Sequence, residues 1–177
     1  MGTADAVKNN VYALARSAVN FLHEVLMLVI NGDTAQVGNG RRAVHHDGAR
    51  LVVRVPEASR VLKVLVGWLK QRALDALAPR VADYAARLGR PEPRVAISSA
   101  RTQWGVCGED GIIRLSWRLV HIEPTLADYV VAHEVAHLAE MNHGPRFWRL
   151  VESLSPDTTA ARAWLKRHRS RLLSYGS

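Results

Sequence analysis

The sequence predicts an α+β domain in which a small antiparallel sheet packs on a histidine-bearing helix. Two observations carry this expectation: long stretches with apolar residues at helical spacing, and short apolar runs set between turn signals. With 177 residues, 48% of them hydrophobic, the chain is long enough for one domain with its own core. The expected organisation is an N-terminal amphipathic helix and linker over residues 1–40, followed by one domain over residues 41–177.

Between Val11 and Val29 the apolar positions 11, 14, 18, 21, 25 and 28 repeat with helical spacing, and Arg16, Asn20, His23 and Glu24 gather on another face. An amphipathic helix is expected there. Asn31 to Gly40, with three glycines, reads as a break. The stretch "AVHHDGARLVVRVP" reads as a hairpin, with Asp47-Gly48 as its turn and Pro56 as its end. Residues 58–88, rich in Ala, Leu, Arg and Lys, predict one long helix or two consecutive ones divided at Pro79.

From Arg94 the pattern changes. "VAISS" and "TQWGV" are short strand-like runs, and "GEDG" is a turn before "IIRLSW", which together suggest a meander. Glu123-Pro124-Thr125 opens a helix, with Thr125 and Asp128 spaced as a capping box, running to about Glu140. "NHGP" breaks it, Pro145 begins "RFWRLVESL", and "SPDTT" opens a last, basic helix.

Composition narrows the function. A single cysteine, Cys107, excludes an intrachain disulfide and a Cys-based zinc site. The start does not look like a secretory signal and no run of about 18 apolar residues occurs, so a cytoplasmic location away from membranes is expected. A net charge of +8 fits contact with nucleic acid or another polyanion.

The chemistry concentrates in "VAHEVAHLAEMNH", residues 131–143. On a helix, residues four apart lie one above the other, so His133 and His137 can reach one ion, while Glu134 projects beside it. Val131, Val135 and Leu138 form an apolar stripe on another side, which anchors the helix. The plain alternative, histidines hydrogen-bonded in a core, would bury three costly polar groups without a ligand. A catalytic zinc needs a third protein ligand and an open position. His143, just past the helix, suits this best; Glu152 is the alternative carboxylate. The spacing of His143 from His137 equals that of metzincins, but Glu140 stands where they need Gly, and Glu140 is expected beside the site rather than on the ion.

The run "RTQWGVCGEDGIIRLSWRLVHIEPTLADYVVAHEVAHLAEMNHGPRFWRLV" resembles the YgjP-like zinc metallopeptidases and, more distantly, SprT-like proteases. The likeness covers roughly residues 41–165. The chain departs from the family's pattern at Gln103 and Val106, where the family carries Arg and Ser. The resemblance implies a compact zincin-like (minigluzincin-like) fold, one Zn2+ ion held by His133, His137 and His143, and Glu134 as catalytic base.

The expected activity is hydrolysis of peptide bonds by a metal-activated water, with Glu134 as general base. The strand around Arg101, Trp104 and Gly105 would edge the cleft and hold an extended peptide substrate by backbone pairing. His121, Tyr129 and Arg146 are the candidates for stabilising the oxyanion. Two alternatives stand beside this. One is an SprT-like protease acting on nucleic-acid-bound proteins through the basic C-terminal helix "RAWLKRHRSR"; the other is a non-catalytic, zinc-stabilised interaction module.

Overall fold

A computed structural model describes residues 27–30, 44–46, 50–53 and 60–174. Most of the N-terminal segment expected to be a helix and linker, residues 1–40, lies outside the described residues. The chain divides into two compact units at Lys70 and Gln71.

In the first unit, strands β1 (Met27–Ile30), β2 (Val44–His46) and β3 (Arg50–Val53) form a sheet of order β1-β3-β2. The expected hairpin is present: β2 and β3 pair antiparallel, with Val44 opposite Val53. The end of the expected N-terminal helix is corrected. Met27–Ile30 is a strand, running parallel to β3 with Leu28 opposite Leu51. The apolar run "LMLVI" satisfies helical spacing and a continuous strand equally well, and only pairing with β3 decides between them.

Helix α1 (Val61–Arg87) is one helix that continues through Pro79. Its residues Ala73, Leu77, Val81 and Ala85 recur every fourth position and are 0–2% exposed. Burial continues on both sides of Pro79, which offsets the hydrogen bond the proline removes. In the second unit, Arg80 of α1 donates to the Asp128 carboxylate at 2.9 Å and to the Pro124 carbonyl at 3.4 Å.

The second unit's sheet contains β4 (Val95–Ser98), β5 (Gly105–Cys107) and β6 (Ile113–Ser116). It is mixed rather than an antiparallel meander. β6 lies in the centre, parallel to β4 and antiparallel to β5, which leaves β5 at an edge. Alternation in sequence fixes which face a residue takes, not which strand is its neighbour. The "GEDG" turn forms as expected: Gly111 has φ +70°, its N–H donates to the Gly108 carbonyl at 2.9 Å, and Asp110 accepts from the Ile112 N–H at 3.0 Å. Ile113 and Leu115 of β6 are fully buried.

A 3-10 helix (Trp117–His121) follows and leads to α2 (Pro124–Ala136), α3 (Pro145–Leu154) and α4 (Thr158–Leu173). Helix α2 packs against β5, β6, the 3-10 helix, α3 and α4, and so occupies the centre of this unit. Pro124 takes its first turn, but Thr125 and Asp128 do not form a capping box. Glu123 is the N-cap, no side chain caps the end, and Asp128 is bound to Arg80. The helix also ends before Glu140: Leu138 and Ala139 donate to the carbonyls three residues back, tightening the last turn.

Behind the sheet, Arg118 is 2% exposed, with its guanidinium 4.6 Å from the Trp117 ring and reaching the Ser99 and Ala100 carbonyls. His121 meets Trp117 edge-on at 5.4 Å. Burial, helped by the charge of Arg118, lowers the His121 pKa from 6.5 to about 4. A depressed imidazole pKa means that the unfolded chain takes up a proton the folded chain refuses. The stability held above about pH 6.5 is therefore lost as pH falls toward about 4, by about 3 kcal/mol in total. His121→Phe, which keeps a ring against Trp117, should flatten this part of the decline. Urea unfolding of both proteins at pH 7 and pH 4.5 measures the difference; parallel declines would refute it.

Candidate metal and peptidase site

The ring nitrogens of His133, His137 and His143 lie within 4.8 Å of one another, the one such group of potential metal ligands among the described residues. His133 and the C-cap residue His137 come from the end of α2, and His143 from the loop before α3. That loop reverses sharply. The Gly144 N–H donates to the Asn142 carbonyl at 2.7 Å, and Pro145 starts α3 immediately afterwards.

The sequence makes these histidines meet through α3. Phe147 is completely buried, and its ring centre lies 4.9, 4.5 and 4.6 Å from those of His133, His137 and His143. The next residue fixes the loop backbone: Trp148 Nε1 donates to the His143 carbonyl at 3.0 Å. His137 Nδ1 lies 3.2 Å from the Glu140 carbonyl, which as acceptor leaves Nε2 for a ligand. Glu140 thus contributes its backbone beside the cluster, and its carboxylate faces Arg146 at 3.8 Å.

The donor set fits a divalent metal. Nε2 of His133 and of His143 are 3.1 Å apart. Ligand atoms about 2.0–2.1 Å from a tetrahedral ion are separated by a little over 3 Å, so this pair already has nearly the required spacing. Burial first, then the neighbouring charges of His137, His143 and Arg162, lowers the His133 pKa to about 4; burial also lowers that of His137. Both are therefore held as neutral imidazoles, the form that binds metal. Glu152, the alternative ligand, is exposed on α3 and outside the group.

Glu134 is 6% exposed, and burial raises its pKa from 4.5 to about 7, partly opposed by a backbone hydrogen bond from Cys107. Gly105 explains how it fits. A Cβ at that position would lie 2.7 Å from Cγ and 2.8 Å from Oε1 of Glu134, so any larger residue there would force the Glu134 side chain to shift. Both residues border a cavity of about 610 Å³. Gln103, Trp104 and Gly105 line one side, and Tyr129, His133 and Glu134 belong to α2. The remaining wall is α4, through Arg162, Leu165, Lys166 and Arg169.

Of the residues expected at the cleft, Trp104 and Gly105 are brought to it, although Trp104 is only 8% exposed and belongs largely to the core. Arg101 is exposed and is not among the lining residues. Among the oxyanion candidates, Tyr129 lines the cavity, whereas His121 is buried against Trp117 and Arg146 points at Glu140. The basic cavity wall is what sequence reasoning missed. Its signal was the 162, 166, 169 spacing, which reads equally as a solvated helix face.

The family model for the YgjP-like metallopeptidase domain matches residues 12–168. The chain belongs to the YgjP-like metallopeptidase family. The match begins well before residue 41, where the motifs legible in the sequence start, and so takes in part of the N-terminal segment. Membership makes this a peptidase of the metal-dependent class, and its three clustered histidines could bind that metal. A solved structure, the metallopeptidase zymogen abylysin of Pyrococcus abyssi, is 25% identical and aligns over 54% of this chain and 94% of its own, with a TM-score of 0.46. No curated protein matches the chain significantly. Among the described residues no helix is long and apolar enough to cross a membrane.

The Trp148 hydrogen bond yields a test of the YgjP-like site. Trp148→Phe keeps the ring contacts of the cluster but removes the donor to the His143 carbonyl. Metal affinity should fall about 10–100-fold, as measured by chelator competition.

Proposed function

We propose that the chain is a zinc-dependent peptidase that hydrolyses peptide bonds of a substrate lying in the 610 Å³ cavity. The reading is carried by three clustered imidazoles, of which His133 lines that cavity together with the buried carboxyl of Glu134. His133, His137 and His143 would hold one zinc ion, a set that leaves a coordination position open. Bound there, zinc supplies Lewis acidity to the scissile carbonyl and makes water easier to deprotonate.

The chain's own residues do the rest. Glu134, whose burial gives it a higher proton affinity than an ordinary carboxylate, takes a proton from the attacking water onto its carboxylate and delivers it to the leaving amide nitrogen. Strand β5 is at the edge of its sheet, so an extended peptide can pair with its backbone and be carried past Glu134. Tyr129, on the cavity wall, is the candidate donor to the developing oxyanion. Gly105 acts by its lack of a side chain, which leaves room for Glu134.

Glu134→Gln should keep its zinc, measured by elemental mass spectrometry, and lose about 10²–10⁴-fold in kcat on quenched peptides. His143→Ala should lose the zinc itself; metal retained in full would exclude His143 as a ligand. Gly105→Ala offers a steric control. Its Cβ pushes Glu134 out of place, so kcat should fall on the order of 10²-fold with metal content unchanged.

A further inference from the structure

The cavity has one wall that the proposed hydrolysis does not use. Arg162, Lys166 and Arg169 of α4 all line it and are all exposed. Spacings of four and three residues put them on one helix face. Beside them Ala161 and Leu165 are buried, which fixes the rotation of α4 and keeps the basic row turned to the cavity. None of the ion pairs among the described residues involves these three cations. Arg162 lies 4.8 Å over the Trp148 ring, close enough for its charge to be felt at Tyr129 and His133. Among the described residues, the only acidic one lining the cavity is Glu134, which is buried.

We propose that this wall selects acidic peptides, extended substrates with Asp or Glu side chains at alternate positions on one side of the scissile bond. The proposal rests on the peptidase reading of the site and adds its substrate class. Dimensions support it. Along a helix Lys166 is about 6 Å from Arg162, and Arg169 is about 10.5 Å from Arg162. In an extended peptide, side chains on one side recur about every 6.6–6.8 Å, so two alternate carboxylates match the row. Carboxylates entering a partly enclosed cavity meet cations that, among the described residues, have no carboxylate partner to lose. A nucleic acid would also be drawn to these charges, but they share the cavity with the buried Glu134 carboxyl and the His133 imidazole, beside which the chain being cut must lie.

The test uses the full-length, zinc-loaded protein and three labelled peptides identical except for Glu, Gln or Lys at two alternate positions. With Glu134→Gln, which binds without cutting, fluorescence anisotropy should show the Glu peptide binding at least about tenfold tighter than the Gln peptide. The advantage should shrink between about 0.05 and about 0.5 M salt. Adding Lys166→Glu and Arg169→Glu, both at exposed positions, should abolish it and favour the Lys peptide. In the active enzyme the ratios of kcat/KM should follow the same order. Equal binding of Glu and Gln peptides, or an unchanged ratio after charge reversal, overturns the proposal. So does a single-stranded oligonucleotide that displaces the Glu peptide and binds more tightly. If no peptide is hydrolysed while the Glu preference persists, the peptidase reading fails and the acidic selectivity stands.

Discussion

Three imidazoles meet in this protein because one buried phenyl ring lies under all of them. Phe147 contacts two histidines from α2 and one from the following loop, and it sits on α3, which the loop itself begins. Packing this ring therefore holds the turn, α3 and the three histidines together. Trp148 adds the directional element, since a hydrogen bond to the His143 carbonyl orients the loop in a way that dispersion contacts do not. A metal bound by these histidines would need their positions held to a fraction of an ångström, and helix ends and a rigid aromatic, not long side chains, hold them.

The second constraint is steric. Glu134 takes its buried position beside the cluster in space that a Cβ at Gly105 on the edge strand would occupy. Burying a carboxyl opposes its ionisation, and the same environment raises its affinity for a proton into the range where general-base chemistry operates. Sheet and helix are thus coupled through one missing Cβ. The sheet places β5, its edge strand among the described residues, along the cavity, and α2 places the carboxyl against it. On the far side α4 lines the cavity with a basic surface, so the cavity combines an edge strand with a wall of Arg162, Lys166 and Arg169.

Much of the site was legible because a helix converts sequence spacing into spatial proximity. His133, Glu134 and His137 could be assigned relative positions from the four-residue spacing alone. His143 does not follow from spacing, since a loop has no such rule. The sequence left Glu152 open, and only the reversal at Asn142 to Pro145 brings His143 into the cluster while Glu152 stays on the exposed side of α3. Tyr129, His121 and Arg146 were equivalent by composition and become distinct by burial. One lines the cavity, one is enclosed against Trp117, and one faces Glu140.

The sequence by itself determined the α+β class, the hairpin, the turn at residues 108–111, the helices around the histidines, and the metal-capable pattern. Each of these depends on neighbours within a few residues, where periodicity, proline and glycine act directly. Tertiary structure decided what depends on residues far apart. Met27–Ile30 became a strand because β3 offered it a partner, and β6 took the centre of a mixed sheet through contacts that alternation does not encode. Asp128 was claimed by Arg80 rather than by a helix cap, and the basic row of α4 became a cavity wall because Ala161 and Leu165 packed inward beside it. Long-range packing selects among conformations that local sequence leaves nearly equal in free energy.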